Sequence, residues 1–269
     1  MKTTIAGLAC VLLLAAATAA AQDKTAKKIY CWEEGGHKVC GDALPADATD
    51  AARTEISART GIAVRSLDRA PTDEERAAAA VARKQAAREV QASVERLFTY
   101  AAYADKYDGS VHPTPMRNVT LAMNEPWEVM AVVCPDEAPL LAFVSLVAPA
   151  LAMGNRVVAV PSARWPLAAT DLYQVLETSD LPAGAVNIVT GVRDELAEVL
   201  AKHDAVQAMW YFGSAEGSAM VERESVGNLK ATWVNAGKRR DWYDPVQGEG
   251  REFLRHATRV KNVWVPYGE

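Results

Sequence analysis

Short apolar runs alternate with helical patterns between Trp127 and Val234, and this alternation constrains the fold more than any other feature of the sequence. Strands that alternate with helices of this length predict a parallel sheet covered by helices on both faces. The C-terminal half is therefore expected to be an α/β, Rossmann-like domain. The predicted strands are 128–133, 157–160, 185–190, 206–212 and 231–234, and the predicted helices are 138–153, 166–178, 194–203 and 214–225.

The composition suits a folded chain and excludes several classes of protein. Of the 269 residues, 50% are apolar and 23% are charged, and the formal net charge is −5. These proportions exclude wholesale disorder, and the negative charge argues against a nucleic-acid partner, which needs a basic surface. Four cysteines are too few for a scaffold built from disulfides, so an apolar core must supply the main stability.

The first 21 residues have the pattern of a secretory signal peptide. Lys2 precedes an uncharged stretch that ends on Ala19-Ala20-Ala21, small residues that suit signal peptidase. The alternative is an uncleaved membrane anchor, since about 20 apolar residues can span a bilayer. Cleavage is favoured because alanine-rich segments insert weakly. We expect the chain to be exported to the periplasm and to keep no membrane span after cleavage.

Cys31 and Cys40 flank a Gly35-Gly36 pair, which is a signal for a two-residue hairpin loop. If the glycines form that loop, the two cysteines lie opposite each other with their Cα atoms about 4.5 Å apart, a separation that suits a disulfide. Export would supply the oxidising compartment. The alternative is a zinc site with His37, but it lacks a fourth ligand and the usual spacing. We expect a small disulfide-bonded β-hairpin module over residues 22–70.

This segment also contains Gly41-Asp42-Ala43-Leu44-Pro45 after its second strand. The whole pattern resembles the small hairpin modules that follow signal peptides in many proteobacterial envelope proteins. Those modules have no agreed function, so the resemblance implies a compartment rather than an activity.

A long helix is predicted to connect the two parts of the chain over residues 71–109. Thr72-Asp73-Glu74-Glu75 forms a capping box after Pro71, and Gly109 can stop the helix. Apolar residues recur at helical spacing in its second half, which favours a linker that docks at its C-terminal end. An interaction helix is the alternative. The recurring residues are Val90, Val94, Leu97, Phe98 and Ala101.

The turn where Phe212-Gly213-Ser214 leads into a predicted helix is a candidate phosphate site, because free N–H groups and the helix dipole point there. The sequence contains neither G-x-G-x-x-G nor G-x-x-x-x-G-K-[ST]. The residues alone therefore predict only a doubly wound α/β domain.

Several motifs that occur in order make the prediction more specific. The motifs are Leu97-Phe98-Thr99-Tyr100, Ala148-Pro149-Ala150-Leu151-Ala152-Met153-Gly154-Asn155, Pro161-Ser162, Val186-Asn187-Ile188-Val189-Thr190-Gly191 and Phe212-Gly213-Ser214. Together they resemble the coenzyme-binding region of the aldehyde dehydrogenase superfamily over residues 88–269. The sequence around Trp210 and Trp233 is most similar to the divergent second copy in the duplicated long aldehyde dehydrogenases.

The resemblance implies NAD(P) as the cofactor. Val160 stands where the family has the lysine that holds the cofactor ribose, and Ala163 replaces a following glutamate, so the implied binding is weakened. No metal is expected, because the four histidines lack ligand spacing. The residues that the resemblance assigns to the cofactor are Pro135, Pro161, Ser162, Gly213 and Ser214.

The catalytic groups of the family are replaced. Its general base, a glutamate, aligns with Val234, and no cysteine follows that could serve as nucleophile. The amide side chain that holds the oxyanion in the family is replaced by Asp136-Glu137, whose negative charge would destabilise the negative charge that develops on the substrate. Cys134 is expected to be a packed core thiol. No catalytic residue is therefore assigned.

Three functions remain in competition. The favoured one is a degenerate, non-catalytic aldehyde-dehydrogenase-like domain that binds nucleotide or serves as a scaffold. The second is an NAD-dependent aldehyde oxidoreductase that acts with a partner chain, and the third is an envelope interaction protein. Surface left by the catalytic domain that this chain lacks predicts a protein partner or self-association. The Arg239-Arg240 pair is expected to be charged surface, with anion binding as the alternative.

Overall fold

A computed structural model describes residues 27–267, so the predicted signal peptide lies outside the described residues. The chain divides into two compact units, Met1–Ala79 and Ala80–Glu269. Within the described range, no helix is both long enough and apolar enough to cross a membrane.

Four antiparallel strands form the sheet of the first unit, in the order β2-β1-β3-β4. Gly35 and Gly36 form the hairpin loop with φ of 59° and 81°, values that favour glycine. Cys31 faces Cys40 in the predicted register, and a disulfide joins them with their Cα atoms 4.0 Å apart. The sequence did not predict the last two strands. The four are β1 (Lys28–Glu34), β2 (His37–Gly41), β3 (Arg53–Ser57) and β4 (Ala63–Leu67).

The long helix α1 (Asp73–Tyr103) begins at the predicted capping box. The Thr72 N–H donates to Glu75 Oε2 at 2.8 Å, and the Glu75 N–H donates to Thr72 Oγ1 at 3.2 Å. Two donors that a helix leaves unpaired at its start are thereby satisfied. The helix ends earlier than the sequence pattern suggests.

The C-terminal half of α1 is buried through a mixed face that contains Ser93, Arg96 and Tyr100, which corrects part of the sequence pattern. Val90, Val94 and Phe98 are 51%, 41% and 74% exposed, whereas Arg96 is 4% exposed. Arg96 donates to the backbone carbonyls of Trp242 and of a glycine in the same loop. Because those carbonyls need donors, a charged side chain takes a buried position beside Tyr100. Of the predicted apolar stripe, Leu97 packs partly buried against the core, whereas Val90, Val94 and Phe98 face outward.

The second unit contains the predicted parallel sheet, in the strand order β11-β10-β7-β8-β9. Every predicted strand and helix of this region is present; β11 has the predicted ends, and most other ends are shifted by one or two residues. The strands are β7 (Val129–Val133), β8 (Arg156–Val160), β9 (Val186–Ile188), β10 (Ala208–Tyr211) and β11 (Ala231–Val234). The helices are α2 (Pro139–Ala152), α3 (Leu167–Glu177), α4 (Arg193–Lys202), α5 (Ala215–Glu224) and α6 (Arg251–His256).

Helices cover both faces of this sheet. Met130 and Val132 of the central strand pack in the cluster that includes α2 and α6. Ala131 and Val133 point the other way, into the cluster with α4 and α5. All four residues are fully buried, which explains why the strand is a continuous apolar run rather than an alternating one.

A second, antiparallel sheet was not predicted. Its strand order is β12-β6-β5, and β12 pairs along its whole length with β6. The strands are β5 (Ser110–His112), β6 (Asn118–Pro126) and β12 (Thr258–Pro266).

Candidate functional site

The strand order locates a candidate site. The chain builds β7, β8 and β9 toward one edge and then returns to place β10 and β11 on the other side of β7. In open parallel sheets, ligands bind outside the carboxyl ends of the strands at this point of reversal. A cleft lies there, with Pro135 at the end of β7, Gly213 at the end of β10 and Asn235 at the end of β11.

Asp136 joins the ends of three successive strand segments within this region. Ser162, after β8, donates its hydroxyl to Asp136 Oδ1 at 2.6 Å, and Arg193, after β9, forms an ion pair with the same oxygen at 2.5 Å. Burial acts to raise the pKa of Asp136, but the Ser162 hydrogen bond and Arg193 outweigh it and hold the pKa below its usual value. The carboxylate is thus ionised at neutral pH and already partnered.

The N-terminus of α5 is also occupied by internal contacts. The Gly213 N–H donates to Asn235 Oδ1 at 3.1 Å, and Ser214 Oγ accepts the Gly217 N–H at 2.9 Å as the helix cap. The Tyr211 ring lies against this turn: a Cβ on Gly213 would come within 2.5 Å of its hydroxyl oxygen, and one on Gly217 within 1.9 Å. The two glycines therefore make room for the tyrosine.

Tyr211 is held in that position by α4. Its hydroxyl donates to Asp194 Oδ1 at 2.7 Å. Burial raises the pKa of the Tyr211 hydroxyl, and the hydrogen bond to Asp194 adds to the shift, so the group stays protonated at neutral pH.

The five residues assigned to the cofactor by resemblance come together only in part. Pro135 and Gly213 line the cleft. Pro161 and Ser162 are buried, and Ser214 is exposed at the α5 terminus. Their assignment to a cofactor stays a prediction.

Sequence reasoning missed Arg193, Asp194 and Tyr211, which dominate the contacts described above. One available signal was the adjacent charged pair Arg193-Asp194, which opens a helix shortly after the end of β9. Such a position points at the carboxyl edge of a parallel sheet.

Cys134 is the free cysteine of the described residues and lies in the core. It is fully buried, and this burial raises the pKa of its thiol to about 12. A reactive thiol needs the opposite shift. The expectation of a packed core cysteine is confirmed.

Two residues beside the cleft have left-handed backbone. Ala138 after β7 has φ of 45°, and Ala236 after β11 has φ of 49°. Residues other than glycine pay a steric cost in this region, and such strain clusters at functional sites. Glu128 before β7 and Leu229 before β11 are also left-handed, so this backbone conformation by itself does not mark the cleft.

The Arg239-Arg240 pair is only half charged surface, which corrects the sequence expectation. Arg239 is 82% exposed and pairs with Glu137 at 3.1 Å. Arg240 is instead inserted among aromatic rings and pairs with Glu252 at 3.2 Å. Its guanidinium lies 5.2 to 5.6 Å from the ring centres of Phe212, Trp233 and Phe253.

No group of three or more histidine, cysteine, aspartate or glutamate side chains among residues 27–267 is arranged to hold a metal ion.

The strand order and the cleft at its point of reversal define a doubly wound domain of the dinucleotide-binding class. The model of the aldehyde dehydrogenase family matches residues 46–240, and the chain belongs to this family.

Curated relatives and solved structures agree with this assignment. The chain is 34% identical over 139 residues to the NADP/NAD-dependent aldehyde dehydrogenase PuuC of Escherichia coli (strain K12), covering 51% of this chain and 28% of the relative. It is 31% identical over 150 residues to retinaldehyde dehydrogenase 3 of Homo sapiens, covering 55% and 29%. The structure of gamma-glutamyl-gamma-aminobutyraldehyde dehydrogenase from Burkholderia cenocepacia J2315 superposes with a TM-score of 0.52 at 33% identity, covering 54% and 30%. The chain thus spans less than a third of the length of these relatives.

Proposed function

We propose that this chain is a non-catalytic member of the aldehyde dehydrogenase family that serves as a scaffold or binding domain. The observation that carries the proposal is Val234 at the end of β11, where the resemblance places the family's general base. A valine side chain cannot accept a proton, and residues 235–269 contain no cysteine.

Neither Cys134 nor the loop after it offers a substitute for the family's chemistry. Cys134 is sealed in the core with a raised pKa, so it neither meets substrate nor forms a thiolate at neutral pH. Asp136 and Glu137 stand in the loop where the family stabilises an oxyanion, and two carboxylates there disfavour negative charge on a substrate.

The proposal is tested by mixing the purified chain with aliphatic and aromatic aldehydes and NAD⁺ or NADP⁺, and following absorbance of the reduced nucleotide. We expect no aldehyde-dependent reduction. Sustained turnover by the wild-type chain would show that the proposal is wrong, and loss of that turnover in Cys134→Ser would then identify the nucleophile. Addition of candidate partner chains tests the alternative of a two-chain oxidoreductase.

A second candidate role is protein interaction, and two exposed apolar surfaces favour it. Val90, Val94 and Phe98 form an exposed stripe on α1. Trp165 and Leu167, beyond the carboxyl end of β8, are 56% and 70% exposed. Contiguous apolar surface of this kind is typical of contacts with another chain.

Light scattering during size-exclusion chromatography tests this role. We expect self-association or a co-purifying partner that is lost in Phe98→Glu or in Leu167→Glu. Val81→Glu is the matched control, because Val81 is also exposed on α1 but lies far along the helix from Phe98. A wild-type monomer that captures no partner would contradict the interaction role.

We also propose that the chain is exported to the periplasm. The Cys31–Cys40 disulfide supports this, because such bonds persist in oxidising compartments. Expression in a Gram-negative host, fractionation and mass spectrometry of the mature N-terminus test it. A product that keeps its first 21 residues in the cytoplasm would contradict export.

A further inference from the structure

We infer that the dinucleotide cleft of this chain is closed by its own side chains, so the chain does not bind NAD(P). Two sets of contacts carry the inference: Tyr211 with Asp194 at the α5 N-terminus, and Asp136 with Ser162 and Arg193 across the strand ends. The inference goes beyond the proposed function, because a domain without catalytic groups can still hold a nucleotide.

The first set fills the position for a phosphate. A helix N-terminus attracts anions because its first N–H groups are free and its dipole is favourable. At α5 the Gly213 and Gly217 N–H groups already have acceptors within the chain. The Tyr211 hydroxyl lies against both glycines, so close that a Cβ atom at either position would clash with it. The Tyr211 ring therefore fills the inner side of the turn, while Ser214 on its outer side is exposed.

Charge adds to the steric exclusion. Asp194 accepts the Tyr211 hydroxyl at 2.7 Å, so a carboxylate stands directly behind the group that fills the turn. The exposed Asp194 carboxylate carries the same sign of charge as a pyrophosphate, so it would repel that anion. The Tyr211–Asp194 pair thereby serves as an internal occupant of the terminus.

The second set occupies the strand ends. Ser162, which the resemblance assigns to the cofactor, is fully buried and donates to Asp136, and its oxygen accepts the Trp165 N–H at 3.0 Å. Val160, in place of the ribose-binding lysine, is 1% exposed and packs in the core. Arg193 reaches across to Asp136 with a side chain that is only 16% exposed.

The remaining space is also small. The cleft at the point of strand reversal has a volume of about 130 Å³. Sites for small molecules are usually clefts of about 300–1,000 Å³. This part of the cleft is therefore too small to hold a dinucleotide, and the adjoining cavity of about 590 Å³ shares only Asp136, Glu137, Arg240 and Trp242 with it.

Isothermal titration calorimetry on the full chain tests the inference, with NADH, NADP⁺ and inorganic pyrophosphate as separate titrants. For the wild type we expect no saturable binding up to millimolar concentration of any of them. Saturable micromolar binding of NADH or NADP⁺ would overturn the inference. It would leave the proposed function intact if aldehyde turnover were still absent, so the two failures are distinguishable.

Two opening variants test the assigned cause. Tyr211→Ala empties the turn, and Tyr211→Phe removes only the hydroxyl oxygen that lies nearest to both glycines. We expect folded Tyr211→Ala to bind pyrophosphate at least tenfold more tightly than the wild type, and Tyr211→Phe to show a smaller gain. Asp171→Ala is the control, because Asp171 is an exposed aspartate on α3 away from this terminus. Pyrophosphate binding by both folded Tyr211 variants that equals that of the wild type and the control would overturn the assignment.

Discussion

The imidazole of His256 stacks on the indole of Trp233, with ring centres 4.1 Å apart and planes 9° from parallel. Burial of this imidazole lowers its pKa below 6.5, and the nearby Arg255 lowers it further. The neutral ring is therefore the form that the folded chain favours. Below pH 6.5 the unfolded chain takes up the proton more readily than the folded chain.

We expect acidification from pH 6.5 downward to reduce the free energy of unfolding. The pKa of His256 is lower in the folded chain than in the unfolded chain, so protonation stabilises the unfolded state more than the folded state. His256→Gln should show a weaker dependence of Tm on pH over this window. Calorimetry can resolve the difference, since about 1 kcal/mol corresponds to about 2–4 °C for a unit of this size. His112→Gln is the control, because His112 is exposed on β5. Equal pH slopes for all three proteins would contradict the expectation.

The two adjacent arginines should differ in their contribution to stability. Arg240→Ala removes a cation from three aromatic rings and from Glu252, and we expect a loss of about 2 kcal/mol. Arg239→Ala removes only an exposed ion pair, for which about 0–1 kcal/mol is usual. Urea denaturation followed by tryptophan fluorescence measures both. Equal losses would contradict the burial difference.

Arg96→Leu should be more damaging than either. Its guanidinium donates to the carbonyls of Trp242 and Gly248 and to Ser145, all in buried surroundings. Buried acceptors left without donors cost about 1–3 kcal/mol each, so the second unit should lose several kcal/mol. The measurement is the urea midpoint, with Arg83→Leu as a matched exposed control on α1. A midpoint equal to that of Arg83→Leu would contradict the expectation that the hydrogen bonds of Arg96 stabilise the second unit.

The disulfide should stabilise the first unit alone. Cys31 and Cys40 are nine positions apart, and closing a loop of that length contributes about 2.5 kcal/mol. We expect reduction, or the Cys31→Ser/Cys40→Ser double variant, to lower the melting temperature of residues 28–67. The melting temperature of the parallel sheet should stay the same. Hydrogen exchange measured by mass spectrometry separates the two regions. A loss of protection in the parallel sheet would contradict this expectation.

The Cys134 thiol should resist alkylation in the native state. Its pKa of about 12 leaves little thiolate at pH 8, and burial keeps the reagent away. Iodoacetamide labelling followed by peptide mass spectrometry should show slow modification at Cys134 that becomes fast in urea. Rapid native labelling would contradict both its burial and the proposal that it is not a nucleophile.

The sequence predicted those features that depend on local pattern. The Gly35-Gly36 loop determines the hairpin register, so Cys31 opposite Cys40 followed directly. Buried parallel strands read as apolar runs, so β7 and β10 were visible. The sheet of β5, β6 and β12 was not, because the partner of β6 lies at the far end of the unit and nothing in either segment specifies the pairing.

Side-chain contacts at the candidate site were harder to predict for a related reason. Tyr211 meets Asp194 because the polypeptide crosses from α4 to β10, and no periodicity reports which strand residue will face a helix terminus. The prediction of the buried face of α1 was partly wrong, because the spacing of apolar residues predicts an apolar contact. Arg96 binds backbone carbonyls of a loop. The hydropathy of the sequence reflects side chains only, so it does not indicate where such carbonyls lie.

The pairing of β12 with β6 also has a consequence for folding during synthesis. Thr258 lies opposite Pro126, and Pro266 lies opposite Asn118. β6 therefore cannot pair with β12 until all of α2 to α6 have been translated. Pairs so distant in sequence form late, because the closing of a long loop must precede any gain from its contacts. A nascent chain therefore leaves the ribosome with one edge of β6 open. If the protein is exported, that delay favours a chain still unfolded enough to be threaded through a translocation pore.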